Sequence, residues 1–472
     1  MNSNRRKFLK QLATGTAAVS LAPALLSGCT ESKAKGIYKA TWPRLEFDVA
    51  VVGAGPGGVP AAIAAARQGA KVVLIEEDSM PGGAPVDMFV TFICGGPRVG
   101  IFSEMIQHLN QYHTIGGKPV ETFGKDGYDG KNHWWMPESY AQTIYHMLDR
   151  EPNITLMCGA MVVDTLVKEK GNRNIVEGVV IMRNGEYQEI GAKMTIDATG
   201  NGFVAASAGC EYMYGSESKS DLNEHVGMDE ADGKVQPCTW MMISNRIKRN
   251  AILPVDKFIG SSTVEDNLDH WVTVPDIPDM IRRDAGIYLH WGKTVYCDDT
   301  RDPQKLAEAQ REALVKLQHN MQMLHEAGYG VYLAPKLGVR ECRRIKGEYI
   351  LTSNDIAQGN FPDDTVAHAH YAFDVWGMKI PEELKGTQPY GIPYRSLIPL
   401  NTEGLLTAGR IISSSRIAHS SVRVQPICAN IGEAAGVAAA LAVKHNTSSR
   451  GVDIKELQGL LRNNGLFSAF EK

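Results

Sequence analysis

Long apolar runs are missing from this chain. No stretch reaches the roughly 20 residues that span a bilayer; the best candidate, Ala434 to Val443, is about half that length and reads as part of a buried helix. An excess of charge of either sign is missing too: 49 Lys and Arg stand against 53 Asp and Glu, a formal net charge of −4. No Lys/Arg run interleaved with aromatics follows the first ten residues, which argues against a nucleic-acid partner. The eight cysteines, at 29, 94, 158, 210, 238, 297, 342 and 428, form neither a C-x-x-C pair nor a ferredoxin-type spacing. Zinc and iron–sulfur sites are therefore unsupported, and no metal is expected. The seven cysteines after Cys29 read mainly as buried small hydrophobes. Internal repeats and low-complexity segments are absent as well. At 472 residues, 43% hydrophobic and 22% charged, the chain suits two or three domains of roughly 100–200 residues each.

The N-terminus has a pattern of its own. Arg5-Arg6-Lys7-Phe8-Leu9-Lys10 is followed by a mildly apolar run from Leu12 to Leu26 and then by Ser27-Gly28-Cys29. A charged start, a short apolar middle and a small-residue exit are the layout of a secretory signal. The paired arginines resemble a twin-arginine signal, and Leu26-Ser27-Gly28-Cys29 resembles a bacterial lipoprotein box. The expectation is an exported protein on the periplasmic face of a bacterial membrane, held by a lipid on Cys29. Residues 1–29 are then the signal and 30–45 a linker.

The chemistry begins at Phe47. An apolar, β-branched strand to Val52 runs into Gly53-Ala54-Gly55-Pro56-Gly57-Gly58, then into an alanine-rich helix from Val59 to Arg67. A second strand, Lys71 to Ile75, closes on Glu76. Each part has a mechanical role: Gly53 makes the tight turn, Gly55 lets backbone approach a pyrophosphate, and Gly58 lets helix and strand pack closely. The helix start offers free N–H groups and a positive dipole end to phosphate, and Glu76 is placed for the ribose. Strand, glycines, helix, strand and acid within one short unit form a dinucleotide fingerprint; a bare glycine triad would be weak.

Three further segments separate FAD from NAD. Gly82 and Gly83 follow Glu76 closely. Short strands at 160–167, 175–182 and 187–190 precede Lys193 to Ile196, which ends in Asp197-Ala198-Thr199-Gly200. Leu405 to Ala408 ends in Gly409-Arg410. This order resembles the glutathione-reductase-type FAD fold. The resemblance narrows with Arg340-Glu341-Cys342-Arg343-Arg344, with Tyr390-Gly391-Ile392-Pro393-Tyr394-Arg395, and with Gln425-Pro426 ahead of Gly432-Glu433-Ala434-Ala435-Gly436. These look like the bacterial FAD-dependent oxidoreductase family related to heterodisulfide reductase, whose iron–sulfur motifs are absent here. The resemblance implies an α/β fold: a discontinuous Rossmann-like FAD-binding domain with a β-meander, split into 46–210 and 331–472, and an inserted α+β substrate (cap) domain at 211–330. It also implies FAD held by Gly53, Gly55, Gly57, Gly58, Glu76, Gly82, Gly83, Thr199, Gly200, Gly409, Arg410 and Gln425. The N-terminus of the helix Ile427 to Lys444, with Pro426 at its first position, is expected to face the flavin.

Ser413 to Arg423 lies between the Gly409 strand and that helix, which places it at the redox face. His419 is the candidate general acid or base; Arg416 and Arg423 are candidate anion binders, equally able to pair with phosphate or a carboxylate. Arg343 and Arg395 rank behind them. His368 and His370 share one face of a strand, and Trp134, Trp135, Trp240, Trp271 and Trp291 suit either a cleft or a core. The expected function is hydride transfer between FAD and a small-molecule substrate of the sugar, polyol or hydroxy-compound class. With one fingerprint and no NAD(P)H domain, quinone or a redox protein is the expected second electron partner. The alternatives are a tethered electron carrier and a non-redox FAD-dependent lyase or isomerase.

Overall fold

The computed structural model describes residues 42–113, 133–248 and 287–470, apart from 377, 379 and 382–386, together with residue 251 and the strand 272–273. The leader, Cys29 and Trp271 lie outside these residues.

A parallel sheet carries the fingerprint. Leu45–Val52 pairs on one side with Val72–Ile75, which pairs in turn with Ile154–Met157, and on the other side with Glu186–Asp197. These strands read as near-continuous Val, Ile and Ala because both faces of a parallel sheet are covered. The meander is antiparallel: Met161–Lys170, Arg173–Arg183 and Glu186–Asp197. Its second turn is the two-residue Asn184-Gly185, both at positive φ, the turn whose twist matches the flanking strands. The segments expected as separate strands at 187–190 and 193–196 are one strand, Glu186–Asp197. Its first half belongs to the meander. Its second half joins the parallel sheet, where Leu405–Thr407 pairs with Thr195 to Asp197.

Two helices cross directly beneath the glycine turn. Gly58–Arg67 packs against Gln425–Lys444, and all residues from Gln425 to Ala442 are buried. The contact depends on missing side chains: a Cβ at Gly432 would lie 1.9 Å from the Gly57 carbonyl oxygen, and one at Gly436 would lie 2.2 Å from that of Ala61. The long helix starts at Gln425, so Pro426 occupies its second position rather than its first. At 20 residues it is long and apolar enough to cross a membrane, but it is the buried core of the fold.

Within 211–330, the strands 272–273, Ile287–His290, Met242–Arg246 and Tyr329–Leu333 form a second, antiparallel sheet in that order. An amphipathic helix spans Pro303–Ala327. Asp302 caps it by accepting from the Gln304 and Lys305 N–H groups, and Gly328 ends it in the left-handed region. Its buried stripe is Ala309, Ala313, Leu317, Asn320 and Leu324, while Leu314 is exposed. The strand Tyr329–Leu333 runs through the expected joint at 330/331.

Candidate functional site

The glycines of the turn divide into those the chain itself requires and one it does not. Gly53 has φ 95°, and a Cβ there would meet the Ala198 carbonyl oxygen at 2.6 Å. A Cβ on Gly58 would lie 1.7 Å from the Gly53 oxygen, and one on Gly57 would lie 3.0 Å from the Gly409 Cα. Gly83 presses on the Gly55 Cα in the same way, at 2.9 Å. A Cβ on Gly55, however, would meet nothing closer than the Gly83 Cα at 3.8 Å. That position has room for a methyl group in the chain alone, as expected of a cradle shaped for a ligand. The turn, the Gly82-Gly83 loop and Gly409 are thus packed together; the Gly82 N–H also donates to the Ala54 carbonyl at 2.8 Å.

Glu76 is buried at the edge of this cradle. One carboxylate oxygen accepts from the Ala54 N–H at 2.7 Å, the other from the Asp78 N–H at 3.0 Å. Burial raises its pKa against the pull of these two bonds. Each oxygen keeps a lone pair for a ribose hydroxyl. On the other side Thr199 serves the turn itself: its hydroxyl donates to Asp197 at 2.6 Å and accepts from the Gly202 N–H at 3.0 Å. Gly200 has φ 71°, and its carbonyl accepts from the Arg410 Nε at 2.7 Å.

Helix Gln425–Lys444 begins beside this turn. By helix geometry the Gln425 and Ile427 N–H groups have no intrahelical acceptor, and the positive dipole end adds to them. The Gln425 side chain donates to the Val90 carbonyl at 2.6 Å, while its buried Oε1 meets no donor among the described residues. A Gly55 cradle with room to spare, free first-turn N–H groups and an orphaned buried Gln425 oxygen together fit a bound dinucleotide cofactor.

The segment between the Gly409 strand and the long helix is itself ordered: Arg416–Val422 is a helix, buried throughout and capped by the Ser415 hydroxyl accepting from the Ala418 N–H. His419 is 1% exposed, and its Nδ1 meets no partner among the described residues. Burial, followed by the charges of Arg344, Arg423, Arg410 and Arg416, drives its pKa well below the usual histidine value. The ring is neutral at working pH, so it is poorly suited to hold a proton in the resting protein. Arg416 pairs with Glu341 at 3.3 Å, and Arg423 with Asp374 at 2.7 Å. The carboxylate partner is therefore the realised alternative for both arginines.

Arg395 lies on the surface and forks onto Asp364 at 2.9 and 3.1 Å, away from the site. Arg343 reaches the Asn201 carbonyl. His368 stacks on Phe467 with ring centroids 4.7 Å apart, and the His370 Nε2 lies 3.1 Å from the Thr387 carbonyl, which accepts from it. Both histidines lie against Phe470, among rings. Trp135 and Trp240 are core residues, and Trp291 packs on Phe92. Sequence pattern gives no signal for Gln236 or Trp376. The structure joins them: the Trp376 N–H donates to Gln236 Oε1 at 3.2 Å, and the Arg340 guanidinium lies 4.3 Å over the Trp376 ring.

Comparison with known proteins agrees with the glycine geometry. The profile of a family described as "FAD dependent oxidoreductase" matches residues 48–461. The tRNA uridine 5-carboxymethylaminomethyl modification enzyme MnmG of Bacillus velezensis is 28% identical over 204 residues, 39% of this chain. The match covers 30% of that enzyme's own length. The alpha chain of sarcosine oxidase from Rhizobium meliloti is 47% identical over 47 residues, 10% of this chain and 5% of that one. Among solved structures, a geranylgeranyl bacteriochlorophyll reductase-like protein from Thermoplasma acidophilum aligns over 89% of this chain and 84% of that one. Its identity is 12% and its TM-score 0.42.

Proposed function

Because the chain belongs to the FAD-dependent oxidoreductase family, we propose that it oxidises a small hydroxy compound, such as a sugar or polyol, and passes the electrons to a quinone or a redox protein. In the oxidation a substrate carbon loses a hydride and its hydroxyl loses a proton, leaving a carbonyl. FAD, when bound, supplies the two-electron acceptor. The observation that carries the reading is the Gly55 cradle, which the chain's own packing leaves open.

The residues around it have separable roles. Gly55, the Gly82-Gly83 loop and the first turn of Gly58–Arg67 would hold the diphosphate, and Glu76 the adenosine ribose. Arg410, the Gln425 amide oxygen and the first-turn N–H groups of Gln425–Lys444 would hold the other half. Donors and a positive helix end fixed in advance stabilise developing negative charge without reorganising. His419 is the nearby group able to receive the hydroxyl proton, provided the field of its arginines is offset when substrate is bound. The 211–330 segment serves as the cap over the substrate.

The leader supports siting this chemistry on the periplasmic face of a membrane. Arg5 and Arg6 would direct a folded, cofactor-loaded protein to export, and Cys29 would carry the lipid. Mixing the purified protein anaerobically with sugars, polyols, amino acids and aromatics tests the reading. Flavin bleaching by one compound class supports a dehydrogenase. Bleaching by reduced partner proteins alone indicates an electron carrier, and turnover without net bleaching indicates a lyase or isomerase.

A further inference from the structure

Beside the Gly55 cradle the described residues gather more positive charge than they balance. Arg410 follows Gly409, which packs on the fingerprint turn; its guanidinium donates to the Gly200 and Val339 carbonyls, both at 2.7 Å. Arg340 donates to the Pro237 carbonyl at 2.7 Å and to the Thr239 hydroxyl at 2.6 Å. Neither has a carboxylate within ion-pair distance among the described residues. Arg423, one residue before the helix N-cap Val424, has Asp374 at 2.7 Å. These three arginines are close enough to repel: Arg423 lowers the pKa of both others, and burial together with that repulsion brings Arg340 down to about 10. Three guanidinium groups therefore share one paired carboxylate, Asp374. Leaving a buried charge uncompensated is costly, and the described side chains do not complete this group.

Unused hydrogen-bond donors lie in the same network. The Arg423 Nε and the Gln236 Nε2 are buried without an acceptor among the described residues. Gln236 is fully buried and is held from both ends: its N–H donates to Glu341 at 2.9 Å, and its side-chain oxygen accepts from the Trp376 N–H. Its amide N–H groups are thus fixed, and they are unanswered among the described residues, in the side chain held by the backbone N–H of the residue whose ring carries Arg340. Arg416 is answered by the fully buried Glu341, whereas the partner of Arg423, Asp374, is 41% exposed and leaves the Arg423 Nε over. The Arg340 guanidinium, the Arg423 Nε and an orphaned amide donor remain for a ligand; Arg410 is left to the cofactor side, where it braces Gly200.

We infer that the substrate is an organic anion, a hydroxy compound bearing a carboxylate, whose charged group is received by Arg340, Arg423 and the Gln236 amide. A planar oxyanion matches the guanidinium fork. The inference rests on the FAD-oxidoreductase reading and narrows its substrate class from neutral sugars and polyols to acids. It also accounts for His419. Burial, with four arginines behind it, keeps that ring neutral in the resting protein, and an anion beside Arg423 would offset part of their field and favour proton uptake at the ring.

The test uses the FAD-loaded protein and matched pairs of acid and neutral analogue: gluconate against glucitol, lactate against propane-1,2-diol, benzoate against benzamide. The flavin absorbance spectrum is followed during each titration. Acids are expected to perturb or bleach it and their neutral partners to need at least about tenfold higher concentration. Arg340→Gln and Arg423→Gln are each expected to weaken acid binding by about tenfold or more while FAD content stays that of the parent, with Arg423→Lys recovering part of the loss. If Arg423→Gln does not fold, Arg340→Gln alone decides. Equal response to acids and neutral analogues, no response to any acid, or unaltered acid affinity in the folded arginine variants would overturn the inference. A preparation that holds no flavin would instead remove the reading on which it rests.

Discussion

Two substitutions three residues apart separate ligand binding from folding at the turn. A methyl group at Gly58 would lie 1.7 Å from the Gly53 oxygen and 2.9 Å from its carbonyl carbon. Both atoms are backbone, so no rotamer change relieves the clash, and Gly58→Ala should destabilise the apoprotein by at least about 1–3 kcal/mol, the usual range for overpacking. At Gly55 the nearest atom is 3.8 Å away and φ is not in the left-handed region. Gly55→Ala should therefore leave the apoprotein unchanged or stabilise it by about 0.4–1 kcal/mol, through the lost entropy of the unfolded chain. Its effect should fall on the ligand: FAD affinity drops by about tenfold or more, equivalent to about 1.4 kcal/mol. The assay is a pair of measurements on each variant, urea unfolding without cofactor and quenching of FAD fluorescence on titration. A Gly55→Ala protein that binds FAD as tightly as the parent would refute the placement of the diphosphate over this turn.

Other expectations concern neighbouring parts of the molecule. Glu433 is buried, accepts from the Ile101 N–H at 2.9 Å, and has its pKa pushed up from 4.5 to about 7 by burial. Its carboxyl group is thus protonated in the folded chain where the unfolded chain has already ionised, and this contribution to stability, complete below pH 4.5, falls as pH rises to 7. Unfolding midpoints should accordingly shift in favour of Glu433→Gln across that window, and a pH-independent difference would count against it. Arg344 is wholly buried between Glu217 at 2.6 Å and Glu341 at 3.6 Å; Arg344→Met should cost about 3–5 kcal/mol in denaturant unfolding, because Glu217 loses its cation and Glu341 keeps Arg416 alone. His419→Gln should slow substrate-driven flavin bleaching by about 10²–10⁴-fold with FAD content intact; rapid bleaching in that variant would remove the histidine from the reaction. Replacing Cys29 by Ser should release the protein from the membrane fraction, and Arg5→Lys with Arg6→Lys should hold it in the cytoplasm, both read by fractionation.

The cradle was legible in the sequence because its parts are local. Gly53 to Gly58, Glu76 and Gly82-Gly83 lie within one short stretch, and Gly53, Gly57, Gly58 and Gly83 each mark a place where backbone meets backbone. The same holds for the capped helix Pro303–Ala327, whose start and stop residues act on their immediate neighbours. The arginine group was not legible as a group. Arg340, Asp374, Trp376, Arg410 and Arg423 come from four separate segments, and Gln236 comes from the insertion; only the folded chain sets their distances. His419 shows the limit most clearly. Its type and place near the Gly409 strand suggested acid–base work, but its charge state is set by burial and by Arg344, a residue far back in the chain. Arg416 and Arg423 looked alike in one short segment, yet one is answered by the buried Glu341 and the other by Asp374, with its Nε left over among the described residues.

FAD is the proposed occupant of the Gly55 cradle, and the flavin content of the protein as purified tests that most directly. Denaturing the protein and identifying the released pigment should give close to one FAD per chain. A colourless preparation that also fails to take up FAD on refolding would contradict it.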